Sequence, residues 1–164
     1  MLPEFRWRSV IVVIIVSNIL FGCNERPTAY YPTWQEAMKE GAVTRGWIPS
    51  FLPKSSTNIS ETHDLDTNAG AFCFSAPSAD LDLLVSQLKL VPASRFSTIG
   101  PWIDGSTTWW PSALRKKRFS ELVEKEGFGI YEKPETNDQI SSGRIWYFAI
   151  NVSKDIAYGW QKMK

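Results

Sequence analysis

The chain has 164 residues, the length of one domain, and its 43% apolar and 13% aromatic content excludes an intrinsically disordered chain. Its 18 basic and 17 acidic side chains leave a net charge of +1, which excludes electrostatic capture of nucleic acid as the main function. Two cysteines are too few for a disulfide framework or a cysteine-rich zinc site.

A secretory signal peptide is predicted over residues 1–22. Arg6 and Arg8 form a positive flank, and a mainly apolar stretch follows from Val10 to Phe21. This stretch is shorter than the ~20 residues that a membrane-spanning helix needs. Its length is typical of the apolar region of a signal peptide.

The signal ends in Leu20-Phe21-Gly22-Cys23, which resembles the lipobox of bacterial lipoproteins. The resemblance implies cleavage before Cys23, a diacylglycerol on its thiol and an acylated amine, so that several acyl chains hold the protein in the membrane. It also implies a protein of the bacterial cell envelope that faces the periplasm. Asn24 stands where aspartate retains enteric lipoproteins in the inner membrane, which favours the outer membrane. The alternative is an uncleaved signal anchor.

A tether and one folded domain are predicted to follow. Residues 23–32 are polar and contain prolines, so they are interpreted as a lipidated tether, and residues 33–164 as a single domain. The domain opens with a capping box, in which Thr33 caps a helix and Glu36 occupies its third position. This helix is expected to end at Gly41.

The spacing of apolar residues predicts the remaining elements. Strands are expected over residues 58–65, 71–76, 128–133, 144–152 and 156–160. Helical spacing predicts one helix that opens at Ser78 and ends before Pro92, and another over residues 119–126. This order predicts an α+β fold: a single small domain with an antiparallel sheet and two or three helices packed on one face.

His63, the only histidine, opens the densest polar cluster of the chain, together with Asp64, Asp66 and Asn68. Alternating oxygen ligands of this kind are typical of the start of a calcium loop. Ala69, however, stands where that loop needs glycine, so no metal site is predicted.

Two interpretations of this cluster remain open. In one, an anchored hydrolase uses His63 with Asp64 or Asp66, and a nucleophile from elsewhere in the chain completes the site. In the other, which we favour, the aspartates cap a hairpin turn and His63 is partly buried beside Ile59 and Leu65.

Tryptophans mark the second candidate site, in the irregular segment of residues 93–112. Trp102, Trp109 and Trp110 lie among glycines and prolines, and long irregular segments are often functional. Adjacent residues of an extended segment point to opposite sides, so Trp109 and Trp110 are not expected to enter the same core. The prediction is a binding surface formed by these three tryptophans. The alternative is that the rings fold over the small domain.

The favoured function is a non-catalytic binding or interaction module, held in the membrane through lipidated Cys23. Its expected partner is a protein or a cell-wall glycan, and no cofactor is predicted. The alternatives are the anchored hydrolase and a periplasmic protein that neutralises a toxin. The mature domain is also similar to small bacterial envelope proteins of unknown function that carry Trp-x-Pro and then His-Asp-Leu-Asp, here residues 47–49 and 63–66. That similarity implies no activity.

Overall fold

The computed structural model of the protein describes residues 27–67, 69–101, 103, 107–134 and 143–163. The predicted signal peptide, Cys23 and Trp102 lie outside the described residues. The strands are β1 (Thr28–Thr33), β2 (Thr57–His63), β3 (Gly70–Ser75), β4 (Lys89–Leu90), β5 (Gly129–Glu132), β6 (Arg144–Asn151) and β7 (Ile156–Met163). The α-helices are α1 (Trp34–Lys39), α2 (Ser78–Ser86), α3 (Ser112–Arg115) and α4 (Phe119–Glu126), and 3-10 helices span Ala93–Thr98 and Val152–Lys154.

The strands form one antiparallel sheet in the order β1-β2-β3-β7-β6-β5-β4. Strands β5, β6 and β7 form an antiparallel meander, and β7 then pairs with β3 in the middle of the sheet. The predicted α+β class with an antiparallel sheet is therefore confirmed. Among the described residues, no helix is long and apolar enough to cross a bilayer.

Helices cover both faces of this sheet, whereas the sequence analysis expected them on one. In β6, Trp146 and Phe148 belong to a first core and Tyr147 and Ala149 to a second. We call these sides the first face and the second face. Strand β6 is buried on both, as its nearly continuous apolar sequence allows.

Different helices supply the two cores. On the first face, α1 and α2 contribute Ala37, Leu81 and Leu84. On the second face, α3 and α4 contribute Ala113, Leu114, Phe119 and Leu122. The domain therefore has three layers, with the sheet in the middle.

The sheet begins inside the predicted tether, so the expected boundary at residue 32 is wrong. Residues 28–32 belong to β1, which pairs only with β2 and forms an edge of the sheet. Proline is tolerated in an edge strand because one side of the strand has no hydrogen-bonding partner, and this explains Pro32. Tyr31 is buried in the first core and holds the strand in place.

The predicted capping and helix-ending signals are confirmed. Thr33 Oγ1 accepts a hydrogen bond from the backbone N–H of Glu36 at 3.3 Å, at the start of α1. Helix α1 ends at Lys39, and the predicted Gly41 follows with a left-handed φ of 82°. Gly127, with a φ of 72°, ends α4 in the same way.

Candidate functional site

The turn between β2 and β3 is built by Asp64, as the structural interpretation expected. Its Oδ1 accepts hydrogen bonds from the backbone N–H groups of Asp66 (3.1 Å) and Thr67 (2.9 Å) and from Thr67 Oγ1 (3.0 Å). This is the Asx-type cap predicted from the sequence. Asp66 and Leu65 are exposed at the tip.

His63 pairs with Glu61, a residue that the sequence analysis did not single out. The Nδ1 atom of His63 lies 2.7 Å from Oε1 of Glu61, and the two residues are only 4% and 0% exposed. The signal was present, because Glu61 and His63 are two positions apart in a strand and therefore share the face of Ile59. Both side chains lie on the first face, next to the core.

The indole of Trp47 packs on the imidazole of His63. Its ring is stacked on the imidazole of His63, with centroids 3.4 Å apart and planes 9° from parallel. The guanidinium carbon of Arg45 lies over the same indole, 4.7 Å from the ring centroid. An exposed cation and a buried imidazole thus contact one aromatic ring.

Two features allow the segment of Trp47 to lie against the sheet. The first is Gly70, because a Cβ at this position would clash with the carbonyl oxygen of Trp47. Gln161 in β7 donates from Nε2 to the carbonyl of Gly46 (2.9 Å) and accepts from the N–H of Gly70 at Oε1 (3.1 Å). The close approach therefore depends on a glycine and on one buried amide.

Burial sets the protonation of the pair. It raises the pKa of Glu61 to about 8, and Arg45 opposes this rise. Burial lowers the pKa of His63, and so does Arg45, whereas Asp64 raises it. Burial and the neighbouring Glu61 also raise the pKa of Tyr31. At neutral pH the pair therefore shares one proton between Oε1 and Nδ1 and has no net charge.

The hydrogen-bonding partner of His63 differs from the one that the hydrolase alternative named. Glu61, and not Asp64 or Asp66, is the hydrogen-bonding partner of Nδ1, and Asp64 Oδ1 is engaged in its own turn. The imidazole is buried beneath Trp47. Within the described ranges, no group of three His, Cys, Asp or Glu residues is placed to hold a metal ion.

The paired tryptophans are packed against each other, with Trp110 inside the second core and Trp109 at its margin. Trp110 is 1% exposed in the second core, where its ring lies edge-on to Tyr158 and Trp160. Trp109 is half-buried against the same core and contacts Trp110 edge-to-face, with centroids 5.4 Å apart. The chain turns here rather than extending, since the N–H of Trp110 donates to the carbonyl of Thr107.

An apolar groove lies at the β4 edge of the sheet, between that edge and α4. We call it the β4 groove. Its apolar lining includes Leu90, Val91, Phe96, Val123 and Ile130, around a volume of about 260 Å³. Leu90 is 63% exposed and Val123 is 39% exposed, so apolar surface is offered to solvent at its rim.

The sequence analysis missed this groove. Strand β4 has only two residues, which is too short for an alternating pattern to identify. Strand β4 is held at the edge of the sheet by its pairing with β5, through the pairs Lys89–Glu132 and Leu90–Tyr131. The sequence signal was limited to apolar residues next to Pro92.

Comparison with known families gives one similarity. Residues 25–75 match the family described as the YbbD head domain, which is about a third of the chain. This range includes β1, α1, β2 and β3, and with them Arg45, Trp47, Glu61 and His63. No curated protein and no solved structure matches the chain. The similarity supplies a domain description and no activity.

Proposed function

We propose that the protein is a lipid-anchored binding protein of the bacterial cell envelope, which recognises a protein partner and catalyses no reaction. The observation that carries the proposal is the β4 groove, with Leu90 and Val123 exposed at its rim. Exposed apolar side chains around a concavity are typical of protein interaction sites. Large apolar residues at such sites supply much of the binding energy.

The chemistry of the β4 groove favours a protein over a glycan. Its lining is mainly aliphatic, and Ser120 and Glu124 are its polar side chains. A glycan would need several convergent hydrogen-bonding groups and flat aromatic rings, whereas Phe96 is the single aromatic ring in the lining. A volume of about 260 Å³ suits one or two apolar side chains of a partner.

The proposed anchor rests on the lipobox-like sequence that ends at Cys23. The match to the YbbD head domain supports a small bacterial protein of the envelope type. Trp102 and Trp109 remain predicted contributors to binding. Trp110 is buried, so its predicted part in binding is limited to shaping the loop from within.

Position-specific photo-crosslinking in the producing bacterium tests the β4 groove. A photoreactive residue at position 90 should give one discrete adduct, and Val123→Asp should remove it because a carboxylate is costly in an apolar contact. Position 83 is the matched control, since Leu83 is 61% exposed and Leu90 is 63% exposed. Circular dichroism should show that Val123→Asp remains folded.

Two outcomes would contradict the proposal. One is the same adduct at positions 83 and 90, which would mean non-specific contact. The other is an adduct at position 90 that survives Val123→Asp in the folded protein, which would mean that the groove is not the contact surface.

A further inference from the structure

The start of the described chain is fixed to one end of the sheet. The carbonyl oxygen of Pro27 accepts hydrogen bonds from the backbone N–H of His63 (3.4 Å) and from Thr62 Oγ1 (3.1 Å). Strand β1 follows at once and pairs along β2. The chain therefore enters the domain beside the last residue of β2.

This entry point lies close in sequence to Cys23. Four residue steps separate Cys23 from Pro27, and an extended chain covers at most ~3.6 Å per residue, or about 14 Å in all. If acyl chains on Cys23 lie in a bilayer, as proposed above, this end of the sheet must lie within about that distance of the membrane surface.

The same end presents an exposed leucine on a well-fixed turn. Leu65 is 55% exposed and lies two residues after His63, which contacts Pro27. The three hydrogen bonds to Asp64 Oδ1 hold the turn in shape. A leucine presented in this way can enter a headgroup layer without any rearrangement of the fold.

Two arginines lie at this end of the sheet. Arg144, at the start of β6, donates from Nη2 to the carbonyl of Thr67 at 2.9 Å, so the turn and this end of β6 are in contact. Arg45 is exposed and lies over Trp47, whose ring is stacked on His63. Lys162 in β7 is not part of this group, because its Nζ donates to the carbonyl of Thr98.

Two acids lie on the turn itself. Asp64 accepts hydrogen bonds at Oδ1 and remains a carboxylate, and Asp66 is exposed at the tip. Together with the two arginines, they leave the described charges at this end balanced. A lipid surface is indicated by the short link to Cys23 and by exposed Leu65, and the two guanidinium groups can pair with lipid phosphates.

We propose that this end of the sheet rests on the phospholipid bilayer that holds Cys23, with Leu65 in the headgroup layer and Arg45 and Arg144 beside the lipid phosphates. The proposal rests on the lipid anchor at Cys23. It gives the domain a fixed orientation, in which the β4 groove lies at the opposite edge of the sheet, six strand positions from β1. The β4 groove is then free to meet a partner while the turn contacts lipid.

Site-specific fluorescence tests the orientation. The lipidated protein, carrying Cys73→Ser and either Leu65→Cys or Leu83→Cys, is labelled with an environment-sensitive dye and reconstituted in vesicles of phosphatidylglycerol and phosphatidylethanolamine. Leu83 is the control because it has similar exposure (61%) and lies on α2, which follows the other end of β3. At position 65 we expect a blue-shifted emission that is quenched by brominated lipid. At position 83 we expect neither the shift nor the quenching.

Equal emission at the two positions, in protein that floats with the vesicles, would overturn the orientation and leave the anchor intact. Protein that does not float with the vesicles would overturn the anchor, and the orientation with it. A blue shift at position 65 that is unchanged when Arg45→Gln and Arg144→Gln are combined would overturn the role of the two arginines.

Discussion

Glu61 and His63 show how two ionisable side chains lower the energetic cost of each other's burial. An isolated buried carboxylate is very unfavourable, whereas a neutral pair that shares a proton over 2.7 Å satisfies one oxygen and one ring nitrogen. The other carboxyl oxygen, Oε2 of Glu61, is buried without a hydrogen-bonding partner among the described residues. Such an oxygen is tolerable chiefly when the carboxyl group is protonated, which agrees with the raised pKa of Glu61.

We expect the stability of the protein to fall as the pH rises toward 8, and Glu61→Gln to remove most of this fall. The pKa of Glu61 is about 8 in the folded protein and near 4.5 when the chain is unfolded. A raised folded-state pKa means that stability is complete below the unfolded pKa and is lost as the pH rises through the folded pKa. The slope is at most about 1.4 kcal/mol per pH unit for one group.

Urea denaturation at about pH 6.5 and about pH 8.5 measures this effect. The lowered pKa of His63 affects stability mainly below about pH 7, because at higher pH the imidazole is largely neutral in the folded and in the unfolded chain. Glu124→Gln is the control, since Glu124 is exposed. A pH dependence that is the same in Glu61→Gln as in the unchanged protein would show that Glu61 is ionised in the folded state at neutral pH.

At the scale of elements, sequence patterns predicted the helices and strands whose own apolar residues have a regular spacing. The helix over residues 119–126 was predicted with its observed bounds, and β2, β3, β6 and β7 within three residues. Thr33 and Gly127 marked the start of one helix and the end of another. These elements were predictable because the signals lie within each segment.

Elements that depend on a partner were missed. Strand β1 contains a proline and β4 has two residues, so each is a strand only because a neighbouring strand pairs with it. The second layer of helices was missed for a similar reason. A short run such as residues 144–151 does not reveal from its sequence whether one or both faces will be covered.

The candidate sites were predicted only in part for the same reason, because they depend on contacts between separate segments of the chain. His63 was singled out, but its partner Glu61 is identified only when the burial of the β2 face is known. The packing of Trp109 on Trp110 depends on a turn at Thr107, and nothing in the sequence fixes that turn. Leu90 and Val123 are 33 positions apart in the sequence and line one groove only after folding.

We expect Trp110→Ala to destabilise the domain far more than Trp109→Ala. Trp110 is 1% exposed and contacts Tyr158 and Trp160, so its removal would leave a cavity and cost about 3–5 kcal/mol. Trp109 is half-buried at the margin of the same core, and we expect its loss to cost about 1–2 kcal/mol. Denaturant unfolding of the two variants measures the difference. Similar costs would show that the two rings are equivalent and that the turn at Thr107 does not separate them.

At the scale of the whole molecule, separate surfaces are proposed to make separate contacts. The turn with Leu65 and the nearby Arg45 and Arg144 is proposed to meet the bilayer, and the β4 groove is proposed to meet a protein. The buried Glu61–His63 pair lies under Trp47 on the first face, at the end of β2 next to the turn. The lipid anchor at Cys23 sets how these surfaces are oriented toward the membrane.

The proposed function and the proposed orientation both need the lipid anchor, and intact-mass analysis of the membrane-extracted protein measures it. We expect a chain that begins at Cys23 and carries a diacylglycerol and an amide-linked acyl group. Cys23→Ala should accumulate as a precursor that retains residues 1–22 and lacks lipid. A mass that corresponds to the unmodified chain from Met1, or to a chain cut elsewhere and free of lipid, would contradict the account.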